Sequence, residues 1–405
     1  MCMEPPHRYV YAPLAERKII LGVTSSSAIY RAIDLSRELI RMGAEVKVFM
    51  TEKAMEFVSP ILFSWATGSD PVVELTGKAE HIRYGKEYDA MIIAPCTINT
   101  LSKIAHGIGD NPVTLTAITF LGLRKKLIIV PAMNINLYKS PQYARAESIL
   151  KEYGAIIIKP FIIEDKAKFP PISDLARIID AAINRGRDLE GINVLITAGP
   201  TREYIDPVRV ITNPSSGLMG VLLALEFYGR GANVTLIHGP LTVKPPYVTR
   251  NIEVETTEDM AKAVHDLSSK VDYDVMIFAG APADYAPVRM FKEKIPSRKG
   301  EITLLLKPSP KVIKNIVRKP RVLVGFAAET VGSLDELVEK AREKLYDYNA
   351  DLIVGNIVGR KDEGFGKEFL HACLVWSDGF ECLGTIHKAY LARKIADWVV
   401  KRLGH

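Results

Sequence analysis

The residues with the most chemical content stand just after short apolar runs. "GVTSSS" (Gly22 to Ser27) closes the first such run, and "APCTINT" (Ala94 to Thr100) and "PAMN" (Pro131 to Asn134) close two later ones. A glycine and three serines ahead of a helix offer backbone and hydroxyl donors together with the positive end of a helix dipole, the donor set of a phosphate site. The same serines also read as an N-cap run. "EHI" (Glu80 to Ile82) supplies His81, a residue type suited to proton transfer; an exposed helix-start histidine is the alternative. In the second half, "ITAGPTREYIDPVRVITNPSSGLMG" (Ile196 to Gly220) joins a glycine turn, a loop of mixed charge and a Ser-Ser-Gly helix start. A connection of that length is unusual and marks a functional loop. Further on, "EKIPSRKGE" brings Lys294, suited to phosphate charge or simply to a solvated loop.

Those residues need elements that place them. "KIILGV", an amphipathic stretch from Ala28 to Met42 and "EVKVFM" read as strand, helix, strand, and the pattern repeats through "DAMIIAP", a helix near Ile98 to His106, "KLIIVPAMN", a helix near Gln142 to Tyr153 and "AIIIKP". Continuous apolar strands alternating with helices predict a parallel sheet covered on both faces. After a helix near Leu175 to Arg187, the polar "NRGRDLEGIN" breaks the pattern, so a domain boundary is expected near residue 188, dividing the chain into 1–188 and 189–405. A second unit starts with "NVLITAG" and runs through a helix near Leu218 to Arg230, "NVTLIHG", "DVMIFAG", "RVLVGFAAET", a helix near Asp335 to Tyr348 and "DLIVGN". "FLHACLVWSDGFECLGTI" reads as a hairpin before a closing helix, Lys388 to Leu403. The expected fold class is α/β: two successive doubly wound, Rossmann-like domains, whose ligands sit beyond the carboxyl ends of the strands.

Composition narrows the options. The 405 residues carry a net charge of +6, 25% charged and 48% hydrophobic residues, the balance of a globular chain rather than a disordered or fibrous one. No basic run or interleaving of aromatic and basic residues points to nucleic acid. The N-terminus lacks a signal-peptide core, and the longest apolar stretch stops at Arg124, Lys125 and Lys126, so no membrane span is expected. Four cysteines (Cys2, Cys96, Cys373 and Cys382) make no C-x-x-C pair, which implies a reducing, cytoplasmic setting. Cys373 and Cys382 flank "SDG" and would sit diagonally across a hairpin, where a bridge is possible in a heat-adapted protein; a single glutamine, Gln142, is compatible with such a source.

From Lys18 to Arg187 the chain resembles the flavoprotein family of cysteine decarboxylases. The opening "GVTSSSAIYRAIDLSRELIRMGAEVKVFMTEKAMEFV", "EHI" and "PAMN" carry the likeness. It implies FMN, with Gly22, Thr24, Ser25 and Ser26 on its phosphate side and Thr97 beside it, His81 as catalytic histidine, and Asn134 on the substrate carboxylate or amide. Such decarboxylation needs an electron sink, which a flavin that first oxidises the thiol supplies. Cys96 reads as a small buried residue rather than a nucleophile. The family's clamp cysteine is absent: "PFIIEDKAKFPPIS" has none, which leaves Asp165, Lys166 or Lys168 as the substitute proton donor.

The string Ile196 to Gly220 closely resembles phosphopantothenate–cysteine ligases, and "APADYAP", "EKI", "GFAAET" and "ADLIVGN" follow in order. Both halves together resemble the bifunctional phosphopantothenoylcysteine synthetase/decarboxylases of coenzyme A biosynthesis. The resemblance implies ligation of 4′-phosphopantothenate with cysteine through an acyl-cytidylate made from CTP and Mg²⁺, then decarboxylation to 4′-phosphopantetheine. By resemblance, Asn213 stabilises the acyl-nucleotide step, and Ser215, Ser216 and Gly217 receive phosphate. Phe278, Ala279, Gly280, Asp284, Lys294, Phe326 and Lys344 line the nucleotide pocket, Asp284 toward ribose and metal and Lys294 on phosphates. Arg209 lies in a loop that reaches a neighbouring subunit, and Arg298 or Lys299 replaces the family's later lysines. A homo-oligomer of trimeric flavin domains and dimeric ligase domains is implied. The alternative is an active ligase whose flavin domain serves only binding or assembly. A dinucleotide-dependent dehydrogenase lacks its G-x-G-x-x-G fingerprint.

Overall fold

The computed structural model describes residues 11–163, 166–297, 300–359 and 366–404. Asp165, Arg298, Lys299 and Cys2 lie outside them. The chain divides into two compact units, Met1–Arg185 and Gly186–His405, and the division falls inside the polar "NRGRDLEGIN" stretch.

The first unit is built on five parallel strands in the spatial order Glu45–Met50, Lys18–Val23, Ala90–Cys96, Lys126–Pro131, Ile156–Ile157. Counted along the chain this is order 2-1-3-4-5, the flavodoxin-type winding. Ala90–Cys96 is buried at every residue, and Lys18–Val23 at all but the first. Helices on both faces account for that burial and for the unbroken apolar runs. The helix Tyr30–Arg41 packs through Ala32, Leu35, Ser36 and Leu39, spaced as one helical stripe. It starts two residues later than its periodicity suggests because Ser26 and Ile29 are already held in tight turns, through Ser26 N donating to Thr24 O and Ile29 N to Ser26 O. The helix Pro112–Gly122 has no such stripe. It is apolar nearly all round, is buried by Val113, Ala117 and Phe120 among others, and starts from an Asn111 capping box, so periodicity alone did not separate it from the strand that follows.

The second unit holds an eight-stranded sheet in the order Arg250–Glu253, Asn233–His238, Asn193–Ala198, Val275–Phe278, Val322–Glu329, Leu352–Ile357, Phe369–Trp376, Gly379–His387. The first six are parallel and wound 3-2-1-4-5-6, the Rossmann order; the last two form an antiparallel extension. Cys373 and Cys382 are joined by a disulfide across that extension. They stand directly opposite rather than diagonally, because the register shifts between Ala372 and Cys373. The helix Leu218–Gly229 lies against Asn193–Ala198 with no room to spare: a Cβ on Gly220 would stand 2.4 Å from the Ala198 Cβ. Among the described residues no helix is long and apolar enough to cross a membrane.

One buried cation ties the second unit together. Arg230, 1% exposed at the end of that helix, forks onto Asp188 at 2.8 and 2.6 Å and donates to Asp397 of the last helix, Lys388–Leu403, at 2.8 Å. Arg230→Met fills similar volume but strands Asp188 and Asp397 around a neutral side chain. Removing one partner of a buried pair costs about 3 kcal/mol, so chemical unfolding followed by circular dichroism should show this unit's transition at clearly lower denaturant, and Arg230→Lys should lie between the two.

Candidate functional site

Each sheet leaves one crevice, where adjacent strands send their crossovers to opposite sides. In the first unit it opens between Lys18–Val23 and Ala90–Cys96. Thr24 ties its rims: buried at 1% exposure, its hydroxyl donates to Pro95 O at 2.8 Å and accepts from Thr97 N at 3.2 Å. The Ala94–Pro95 peptide is cis. The serines do not cap the helix, whose N-cap is Ile29 without a side-chain bond. Instead the Ser26 hydroxyl donates to Ala132 O at 3.3 Å, and Ser25, Ser26 and Ser27 face a cavity of about 490 Å³, a volume typical of small-molecule sites. Thr97, which caps the helix Ile98–Ala105, and Asn134, which caps a short helix by accepting from Asn136 N, line the same cavity, as do Lys166 and Lys168. The strand Lys166–Lys168 belongs to a small antiparallel sheet, with Lys166 paired to Asn134 and Ala167 to Met133.

Three residues implied by resemblance stand elsewhere. Gly22 is a packing glycine within the sheet, since a Cβ there would meet Val113 Cγ1 at 3.0 Å and Met91 Cε at 3.1 Å. Thr24 supports the cavity from behind rather than lining it. His81, second residue of the helix Glu80–Glu87, does not line the cavity either, and its Nδ1 is buried with no partner among the described residues. Cys96 is fully buried, which raises its thiol pKa far above the ordinary range and makes it inert.

The second unit's crevice lies between Asn193–Ala198 and Val275–Phe278. Threonines stitch it. Thr197 Oγ1 accepts from Gly280 N at 3.1 Å, and Thr201 Oγ1 accepts from Ala283 N at 2.9 Å while sharing a 2.7 Å bond with Thr257 Oγ1. Asn213 crosses the gap, its Nδ2 donating to Ala281 O at 3.1 Å and Pro282 O at 3.0 Å. Gly217 is the helix N-cap at φ +79°, a left-handed conformation that glycine adopts freely. Ser215 and Ser216 turn their hydroxyls back onto Gly217 N and Leu218 N. The cleft, about 380 Å³, brings together Asn213, Ser215, Ser216, Gly217, Phe278, Ala279, Gly280, Asp284, Phe326 and Lys344.

Lys294 is not among the cleft-lining residues; it is exposed on an arm between the paired strands Tyr285–Pro287 and Leu306–Pro308. Sequence reasoning missed two lysines that do line the cleft. Lys311 pairs with Asp284 at 2.6 Å, which raises its pKa. Lys388 is only 5% exposed, and desolvation brings its pKa down to about 8. Its signal was present: a lysine as first residue of a helix opposes the macrodipole. Lys344, by contrast, is paired with Glu329 at 2.6 Å. No three of His, Cys, Asp or Glu gather as a metal cage among the described residues.

Two family models match in succession, one described as "Flavoprotein" over residues 8–184 and one as "DNA/pantothenate metabolism flavoprotein C-terminal domain" over 189–403. The coenzyme A biosynthesis bifunctional protein CoaBC of Thermococcus kodakarensis is 39% identical over 396 residues, 96% of each chain. Its namesakes in Methanocaldococcus jannaschii and Escherichia coli (strain K12) are 37% identical over 365 residues (89% of this chain and 88% of theirs) and 33% identical over 407 (96% and 98%). The chain belongs to the CoaBC family. As a member, it is a bifunctional enzyme with a decarboxylase flavoprotein domain ahead of a ligase domain.

For a CoaBC flavoprotein domain the Thr24 tie is a sensitive point. Thr24→Val keeps the volume but leaves Pro95 O and Thr97 N without their buried partner, at about 1–3 kcal/mol. Flavin absorbance per purified chain should fall, while Ser36→Ala, remote from the cavity, should leave it unchanged.

Proposed function

We propose that this chain makes 4′-phosphopantetheine from 4′-phosphopantothenate and cysteine, ligating with CTP in residues 189–405 and decarboxylating with FMN in residues 1–188. The observation that carries the reading is that each unit keeps one crevice at its switch point and fills it with a distinct donor set: hydroxyls, an amide and two lysines in the first; an asparagine, a Ser-Ser-Gly helix start and lysines in the second.

A carboxylate is a poor electrophile, so ligation begins by transferring it to the α-phosphorus of CTP with loss of pyrophosphate, after which the cysteine amine displaces CMP. Backbone N–H groups at the start of the helix Leu218–Gly229 take phosphate oxygens, and Lys311, Lys344 and Lys388 offset the negative charge that moves to the leaving group. Asn213 fastens the Ala281–Pro282 loop so that Gly280 and Asp284 face the nucleotide. Among the described residues Asp284 belongs to no acidic cluster, which suits Mg²⁺ held mainly by phosphates and water. Lys294 serves the phosphates from its arm. In the first unit the serine turn and Thr97 hold FMN, whose bound ring supplies the oxidant for the substrate thiol. Asn134 orients the carboxylate that leaves as carbon dioxide, and Lys166 or Lys168 delivers the proton that completes the enethiol's reduction. His81, which does not line this cavity within one chain, takes the thiol proton where the homo-oligomer brings it to the substrate. The reading includes a homo-oligomer with trimeric flavin and dimeric ligase domains.

Mass analysis of products from phosphopantothenate, cysteine, CTP and Mg²⁺ tests the whole reading, with 4′-phosphopantetheine expected. The cysteine adduct alone would mean a ligase whose flavin domain only binds or assembles. Asn213→Ala should lower ligation about a hundredfold or more and spare decarboxylation of supplied phosphopantothenoylcysteine, and His81→Asn should do the reverse. Lys166→Ala or Lys168→Ala should accumulate the oxidised enethiol product. Equal loss of both activities in either of the first two variants would contradict independent sites.

A further inference from the structure

The arm that carries Lys294 leaves the cleft at Asp284 and returns at Ser309, whose N–H donates to Asp284 O at 2.8 Å. Its base is the antiparallel pair Tyr285–Pro287 and Leu306–Pro308. Beyond that pair it is docked on the long loop ahead of the Ser-Ser-Gly turn, at the hairpin Glu203–Tyr204 with Val210–Ile211. Phe291 N donates to Ile205 O at 2.8 Å. Ile295, next to Lys294, has both backbone polar groups held: its N–H donates to Asp206 Oδ2 at 3.1 Å and its carbonyl accepts from Arg209 Nη1 at 3.1 Å. Asp206 Oδ1 also accepts from Val208 N and Arg209 N, each at 2.8 Å, and Oδ2 pairs with the Arg209 guanidinium. Its side chain is buried and saturated with donors. Burial raises the carboxyl pKa, but the N–H groups of Ile295, Val208 and Arg209 outweigh it and hold the acid ionised, well below the ordinary carboxylate range.

A turn of this size needs no buried carboxylate to hold itself together. What the carboxylate adds is a second body: the same group that shapes the Ile205 to Val210 turn also grips the backbone beside Lys294. Asn213 lies on the helix side of that loop, four residues beyond Arg209, and lines the cleft. We propose that Asp206 is a positioning residue for ligation, which with Arg209 clamps Ile295 and so sets where Lys294 projects relative to the loop that carries Asn213. The inference rests on Lys294 serving the nucleotide phosphates.

Asp206→Asn is the test in the full chain, because either orientation of the amide turns one accepting oxygen into a donor facing two N–H groups. The expected result is a KM for CTP raised about tenfold, with the KM for cysteine and the decarboxylation of supplied phosphopantothenoylcysteine unchanged. A merely structural carboxylate would not single out the nucleotide. A double-mutant cycle with Lys294→Ala then separates the two readings. If Lys294→Ala raises the KM for CTP and Asp206→Asn adds little on top of it, the clamp acts through Lys294. If Lys294→Ala impairs ligation but Asp206→Asn is silent or fully additive, the positioning role is overturned and the reading of Lys294 stands. If Lys294→Ala leaves ligation untouched, the phosphate role of Lys294 fails and the clamp's purpose with it. Should Asp206→Asn melt the ligase unit below the assay temperature, Arg209→Lys, which keeps the charge but loses the planar fork that joins Asp206 Oδ2 to Ile295 O, carries the same expectation.

Discussion

Everything chemical in this molecule depends on one property of parallel sheets: where two neighbouring strands send their crossovers to opposite faces, nothing covers their carboxyl ends. Both units are wound so that this gap falls beside their first strand, between Lys18–Val23 and Ala90–Cys96 in one and between Asn193–Ala198 and Val275–Phe278 in the other. A gap alone would leave strand-end amides unsatisfied. Threonine hydroxyls, which donate and accept at once, solve this in both units, through Thr24 on Pro95 O and Thr97 N and through Thr197 and Thr201 on Gly280 N and Ala283 N. The rims are thereby fixed while the space above them stays open.

The same constraint explains what could be read from residues alone. Strands buried on both faces announce themselves as unbroken apolar runs, so the sheets, most helices and the residues just past each strand were legible, and Ser25, Thr97, Asn134, Asn213 and Ser215 fall on cavity walls. What was illegible has no local signature. Gly22 stands in the right motif, yet its missing side chain serves Val113 and Met91 rather than a ligand. Lys311 reaches the cleft from a segment that carries no motif, and Lys388 is marked only by its place as first residue of a helix, which does not say what it faces. Helix Pro112–Gly122 is apolar nearly all round, which erases the periodicity by which helices are recognised.

The two sites also manage charge differently. In the first, the lysines ride on a short antiparallel add-on that lines the cavity, with Lys166 held in register by Asn134 itself. In the second, Lys311 is already matched by Asp284 and Lys344 by Glu329. Matching spares the empty cleft the repulsion of clustered cations, and an incoming polyanion competes for lysines already aimed at it. Lys388 is desolvated at the start of a helix whose dipole disfavours its charge. A cation in such a place costs stability in the empty enzyme, and an anion bound beside it returns that cost as affinity, because the desolvation has already been met before the ligand arrives. Rigidity and latent charge are therefore supplied by different residues: the threonines and Asn213 hold the shape, and the lysines hold the free energy that binding releases.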